Sequence, residues 1–264
     1  GKTAVANGLL IDQIDDQTST TFIWEHDFPM ASYLATVVVG EFERIETVSP
    51  EGVLIRHYVS QSATAEFAAA TADLGEAIDW MSERFGPYPF EAFGFVTADL
   101  SSVSLETQTM VLLADNMIGP RTVMHELAHM WFGNWVSLDS WQQMWRNEGF
   151  ATYVQLMWET QDDPEDLQLI IESFRTAVEE NDDDFPLGNP PPADLFSFNI
   201  YFGGAVFVHD LRQQMGDEAF FAGLQTYFAT YGGGTASDEQ FITVMEEAAG
   251  RSLRPFFAEW LGED

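Results

Sequence analysis

The segment HELAH at residues 125–129, with eighteen residues between its second histidine and Glu148, constrains the fold more than any other feature. Residues four apart project from one face of a helix, so the spacing predicts a helix on which His125 and His129 offer two imidazole nitrogens to one metal ion. Glu126 then lies at the open side of the metal. Catalytic zinc usually has three protein ligands, and Glu148 can complete such a set. The chain must therefore fold so that the glutamate meets the histidine helix.

The chemistry of this set is that of a zinc hydrolase. Zinc lowers the pKa of a bound water, and a nearby carboxylate can take its proton, so Glu126 is the predicted general base. The alternative is a pair of histidines on a half-buried helix that bond to each other or to the backbone. Trp131 and Trp135 after the second histidine, and an apolar helical stretch at 150–158, indicate two packed helices and favour the metal site. The predicted activity is that of a metallopeptidase.

Composition excludes several classes of function. The 264 residues carry a net charge of -33, from 43 acidic against 10 basic side chains, so we predict no nucleic-acid partner. No run of eighteen apolar residues and no basic-then-apolar leader is visible, so we expect neither a membrane span nor a signal peptide. Cysteine is absent, which leaves histidines and carboxylates as metal ligands. Lys2 is the only lysine, and this bias predicts an acidic, salt-adapted surface.

Hydrophobic periodicity predicts an α+β fold, in which a small mixed sheet precedes a mainly helical part. Strands are expected at 35–39, 53–60, 93–97 and 109–113. Helices are expected at 64–85, 121–132, 140–160, 164–180, 200–215, 217–230, 238–249 and 254–261. The turn at 49–52 predicts a domain boundary. Residues 1–48 are then the C-terminal part of a β-domain, truncated because its strand-like runs lack partners, and residues 49–264 form the catalytic domain.

Several segments resemble the aminopeptidase N family of gluzincin zinc metallopeptidases, which belong to the MA clan. The metal segments read HELAHMWFGNWV and WRNEGFA, and their spacing matches that family. Three further segments are similar to parts of its members: FPMASYLA at 28–35, RFGPYPF at 84–90 and RPFFAEWL at 254–261. The resemblance covers nearly the whole chain. It implies a thermolysin-like catalytic domain that binds one zinc ion through His125, His129 and Glu148.

The resemblance also implies two residues that contact the substrate. Family members have a GxMEN-type strand whose glutamate binds the free α-amino group, and the aligned residues 103–107 keep Glu106 but lack the glycine and the asparagine. The alternative is a plain edge-strand glutamate. The family's tyrosine, which hydrogen-bonds the oxyanion of the tetrahedral intermediate, aligns with Tyr201. The lysine that usually follows is replaced by Gly203.

These observations predict a zinc aminopeptidase that acts on peptides with a free N-terminus, and its other partners would be N- and C-terminal domains missing from this chain. Two alternatives stay open. The changes around Glu106 would suit an endopeptidase or another hydrolase on the same site, and a non-catalytic binding module could keep the fold. The other histidines, His26, His57 and His209, lack partners at ligand spacing and are expected to be surface or satisfied core residues.

Overall fold

Two compact units make up the structure, a computed structural model. It describes residues 1–100, 103–161, 163–181 and 185–262. The first unit comprises Gly1–Glu83 and Pro87–Met130, and the second comprises Arg84–Gly86 and Trp131–Asp264. The first contains most of the strands and the second is mainly helical, so the α+β fold class is confirmed. The predicted domain boundary at residue 48 stays a prediction.

The first unit is built on small sheets. Its strands are β1 (Thr3–Ala6), β2 (Leu9–Asp15), β3 (Thr20–Glu25), β4 (Val37–Gly40), β5 (Phe42–Val48), β6 (Leu54–Ser60), β7 (Ala92–Phe93), β8 (Phe95–Ala98) and β9 (Val111–Ala114). Antiparallel pairs join β1 to β4 and β2 to β3, and a larger sheet has the order β5-β6-β8-β9 with β7 beside β6. In that sheet β5 is antiparallel and the other pairings are parallel. All four predicted strands are present, with ends shifted by a few residues.

Three helices belong to the N-terminal half of the chain. They are α1 (Thr64–Ala70), α2 (Leu74–Phe85) and α3 (Pro120–Ala128). The prediction of one helix over 64–85 is wrong, because the backbone leaves the helical conformation at Thr71, where φ is −105° and ψ is 11°, and a second helix begins at Leu74. Helix α1 packs on β6 and on α3. A core of Val5, Tyr58, Val96 and Met110 joins the N-terminal strands to the larger sheet.

The second unit is a set of packed helices with one short parallel pair of strands. Its helices are α4 (Phe150–Glu159), α5 (Pro164–Glu179), α6 (Gly204–Met215), α7 (Asp217–Tyr231), α8 (Asp238–Ala249) and α9 (Arg254–Leu261). Strand β10 (Val136–Leu138) pairs with β11 (Gly234–Ala236). Helix α4 packs on α6, and α7 on α8. Within the described part of the chain, no helix is both long and apolar enough to cross a bilayer.

Candidate metal centre

Helix α3 carries the two predicted histidine ligands. Pro120 lies in its first turn, where the missing N–H costs nothing, and apolar side chains such as Leu127 are buried and fix the helix in the first unit. His125 is half-buried, and His129 follows the last helical residue with 1% of its surface exposed. Their Nε2 atoms are 3.2 Å apart. Two ligands of a tetrahedral zinc ion, each about 2.0–2.1 Å from it, would be about 3.4 Å apart, so this spacing fits.

Glu148 is the third member of the cluster. It lies in a π-helical turn, Trp145–Gly149, that leads directly into α4, and it is 4% exposed. The ligand atoms of His125, His129 and Glu148 all lie within 4.8 Å of one another. Two imidazoles and a carboxylate are a recurring donor set for catalytic zinc. A carboxylate beside both rings favours a metal site over two histidines that only satisfy each other.

A buried arginine holds the turn that carries Glu148. Arg146 is 3% exposed, and its Nε lies 2.7 Å from Oδ1 of Asp238. It also donates to the Tyr227 hydroxyl at 2.8 Å and to the Ala236 carbonyl at 2.6 Å. Burial raises the pKa of Tyr227 to about 12, so the phenol stays neutral as a partner. One side chain therefore ties the turn to three separate elements of the second unit.

Tyr201 lies in a second π-helical turn, Asn199–Gly203, which leads into α6. The two π-helical turns pack against each other through glycines at the starts of the following helices. A Cβ added to Gly204 would lie 2.8 Å from the Cα of Gly149, and the reverse distance is also 2.8 Å. Single π-helical turns within helices often mark functional sites. Here the close glycine contact fixes the backbone next to Glu148 relative to the backbone next to Tyr201.

The position of the family's lysine is filled in another way. A Cβ added to Gly203 would lie 2.1 Å from Oδ1 of Asn199, so the asparagine side chain occupies the space that a longer residue would enter. Asn199 is 8% exposed, and its amide donates to the Phe185 carbonyl at 3.4 Å. The neutral amide of Asn199, one helical turn earlier, therefore fills the space beside Gly203.

The two remaining predicted residues lie in the first unit. Glu126 follows His125 on α3 and is 6% exposed. Glu106 is 7% exposed and follows Leu105, which forms an isolated antiparallel bridge with Leu112 of β9. Glu106 therefore lies beside the edge of the larger sheet, a position that is compatible both with the amine-binding glutamate and with a plain edge-strand glutamate. The roles of Glu106, Glu126 and Tyr201 stay predictions.

His57 and His209 are satisfied core residues, as expected. His57 accepts a hydrogen bond from the Phe95 N–H at 3.2 Å, and burial lowers its pKa to about 3. His209 lies 3.2 Å from the Tyr153 hydroxyl and 3.1 Å from the Gln168 side chain. Neither lies in a cluster of three potential metal ligands among the described residues.

Comparisons with known proteins identify the family of this chain. A model described as the peptidase family M1 domain matches residues 73–260. The chain belongs to peptidase family M1. It is 26% identical to aminopeptidase N of Streptomyces lividans over 90% of its own length, and 30% identical to aminopeptidase N of Oryctolagus cuniculus over 76%. This chain spans 32% of the length of the first relative and 24% of the length of the second.

Solved structures show the same fold. A variant of an M1 zinc metallopeptidase from Deinococcus radiodurans, bound to a Tyr-Ser-Ala substrate, has a TM-score of 0.90 at 27% identity. The match covers 98% of this family M1 chain and 61% of that protein. The same metallopeptidase without this substrate gives the same TM-score. The predicted resemblance to zinc metallopeptidases of the aminopeptidase N type is therefore confirmed.

Sequence reasoning missed Arg146 as the residue that holds the Glu148 turn. Its partners Tyr227, Ala236 and Asp238 lie some eighty to ninety positions away, so no local pattern connects them. One signal was available. The chain has only 10 basic residues, and this one stands beside a predicted ligand in an apolar segment where a charge requires a buried partner.

Proposed function

We propose that this chain is the catalytic part of a zinc-dependent aminopeptidase that removes N-terminal residues from peptides. The observation that carries the proposal is the grouping of His125, His129 and Glu148, with Glu126 next to His125 on α3. The relatives support it, since they are aminopeptidases and one solved neighbour holds a tripeptide substrate. The other domains of a longer protein would be its natural partners, because the chain spans about a third of those relatives.

The metal ligands and the base would work together. His125, His129 and Glu148 would hold one zinc ion. Bound zinc would lower the pKa of a coordinated water and polarise the peptide carbonyl. The carboxylate of Glu126 accepts a proton from the attacking water and later returns it to the leaving amine. Because Glu126 is buried, few bulk water molecules compete for that carboxylate.

Two further side chains would select and stabilise the reacting peptide. The phenolic O–H of Tyr201 donates a hydrogen bond to the oxygen on which negative charge develops, a contact whose loss typically costs about 10²–10³ in kcat. The carboxylate of Glu106 accepts hydrogen bonds from the α-ammonium group of the substrate, and such charge-assisted bonds are stronger than neutral ones. Anchoring the ammonium group fixes the scissile bond one residue from the end of the peptide.

The test combines metal analysis with a panel of substrates. We expect one zinc per chain, hydrolysis of aminoacyl-coumarins, and little hydrolysis of the same compounds with an acetylated amine. Glu148→Gln should lose zinc, whereas Glu247→Gln, an exposed site on α8, should keep it. Equal cleavage of free and acetylated substrates would support the endopeptidase instead. Zinc binding with no hydrolysis of any peptide would support a binding module.

A further inference from the structure

The segment that carries Glu106 is held in an unusual backbone conformation. Leu105 exchanges two backbone hydrogen bonds with Leu112, at 2.9 and 3.0 Å, and the Thr107 N–H donates to the Leu105 carbonyl at 2.7 Å. Thr109 has a φ of 64°, in the left-handed region, and is completely buried. A β-branched residue is rare there and persists only where its surroundings over-determine it. The conformation next to Glu106 therefore depends on contacts from elsewhere in the first unit.

The first of these contacts come from the turn between β1 and β2. The buried Asn7 amide donates to the Gln108 carbonyl at 2.6 Å and to the Leu34 carbonyl at 3.0 Å. The Gly8 N–H donates to the Thr109 hydroxyl at 2.9 Å. These bonds fix the backbone of residues 108–109. They leave the side chain of Gln108 to be held separately.

His26 holds that side chain. Its Nδ1 lies 2.8 Å from Oε1 of Glu91, and its Nε2 lies 2.5 Å from Oε1 of Gln108. The Gln108 amide nitrogen donates to the Pro29 carbonyl at 3.5 Å, which turns the amide oxygen toward the imidazole. In that orientation both atoms that face the ring are acceptors, an arrangement that suits an imidazolium, which donates from both ring nitrogens.

The charges around His26 agree with this assignment. Burial lowers its pKa, but the hydrogen bonds to Glu91 and Gln108 and the charges of Glu91 and Asp27 outweigh burial, so its pKa is raised. Glu91 also interacts with the buried Arg56 of β6, and its own pKa is lowered by His26 despite partial burial. His26 and Glu91 are only 10% and 19% exposed in their side chains. The ring thus links a buried carboxylate to the residue two positions beyond Glu106.

We propose that His26, acting through Gln108, is a positioning residue for the amine-binding carboxylate of Glu106. The inference rests on the proposed aminopeptidase function and deepens it. Glu106 is fixed on one side by the pairing of Leu105 with β9 and on the other by Gln108, whose backbone is held by Asn7 and whose side chain is held by His26. Anchoring groups must be held to within about 0.5 Å to act on a substrate, so release of one side weakens capture of the ammonium.

The experiment changes the acceptor and leaves His26 in place. Gln108→Met removes the bond with little change in size, and Gln108→Glu keeps an acceptor facing the imidazolium. For an aminoacyl-coumarin, Gln108→Met should raise KM about tenfold with kcat within about twofold, since a displaced anchor affects binding of the amine before the chemistry. The preference for free over acetylated substrate should fall in parallel. Zinc content should not change, and Gln108→Glu should restore KM to within about threefold of wild type.

A second variant and a double-mutant cycle distinguish positioning of Glu106 from a general effect on the structure. His26→Gln should raise KM in the same direction, and the double variant should be no worse than Gln108→Met alone, because both changes break one link. Unchanged KM in either folded single variant overturns the inference, as does a loss of kcat alone. Failure of the proposed function looks different: wild type would not prefer a free amine, or Glu106→Gln would leave KM unchanged.

Discussion

The contact between Gly149 and Gly204 predicts the outcome of a one-atom change. In Gly204→Ala the new Cβ would meet the Cα of Gly149 at 2.8 Å, about 0.6 Å closer than an ordinary contact of 3.4 Å. The obstacle is backbone, so it cannot be relieved by rotating a side chain. The segments that contain Gly149 and Gly204 must move apart, and the π-helical turns that carry Glu148 and Tyr201 move with them.

Gly204→Ala is expected to reduce stability modestly and activity strongly. Overpacking of this kind costs about 1–3 kcal/mol, and replacing glycine at the start of a helix returns up to about 1 kcal/mol. The net loss of about 0–3 kcal/mol corresponds to a fall in Tm of at most about 12 °C for a domain of this size. Activity should suffer more, because a displacement approaching 1 Å at a reacting group can cost about 100-fold. We expect kcat to fall between about tenfold and 100-fold.

The assay compares Gly204→Ala with Gly234→Ala. The control adds the same methyl group in β11, where the nearest atom is the Tyr231 carbonyl oxygen at an acceptable 3.4 Å. Tm from thermal melts, zinc content and kcat on an aminoacyl-coumarin are measured for both variants. A Gly204→Ala protein with kcat within twofold of the control would refute the argument that this contact positions Glu148 and Tyr201.

Three further predictions concern stability. Arg146→Met leaves Asp238 buried without its cation and should cost about 3–5 kcal/mol of stability. Arg175→Met, which breaks a half-exposed ion pair, should cost only about 0–1 kcal/mol. Equal Tm values for the two variants would contradict the role of Arg146 as a buried ion-pair partner. His57 is uncharged in the fold, so its contribution is complete above pH 6.5 and is lost as the pH falls from 6.5 toward about 3; a midpoint above pH 6 in an NMR titration of its ring would oppose this. The excess of 43 acidic over 10 basic residues predicts that Tm rises as KCl goes from millimolar to molar, and a flat response would remove the salt-adaptation hypothesis.

The part of the site that sequence predicts best depends on fixed local spacing. His125 and His129 had to share a helix face, and the eighteen-residue interval placed Glu148 at the start of the next helical segment, where the structure has it. Most predicted helices are confirmed for the same reason, since a 3.6-residue pattern needs only neighbouring residues. The error at residues 64–85 came from the turn at Thr71, which interrupts the helix without interrupting the helical spacing of the apolar residues.

Features that depend on distant contacts could not be read in this way. No local sequence pattern in residues 145–149 or 199–203 predicts a π-helical turn. The two turns pack against each other, and this contact between distant segments accommodates the extra residue in each turn. The partners of His26 lie 65 and 82 positions away in the sequence. No local pattern connects them, so the sequence predicted only a surface or satisfied core histidine. Its link to the Glu106 segment became visible only when the N-terminal strands were seen beside that segment.

The central claim is that the cluster of His125, His129 and Glu148 holds zinc and that Glu126 moves the proton in hydrolysis. The most direct measurement takes zinc content and turnover of Glu126→Gln from one sample, beside wild type. The claim predicts one zinc per chain in both proteins and a loss in kcat of about 10²–10⁴ in the variant, with the Tm little changed. A Glu126→Gln protein that binds zinc and keeps more than a tenth of the wild-type turnover would contradict it.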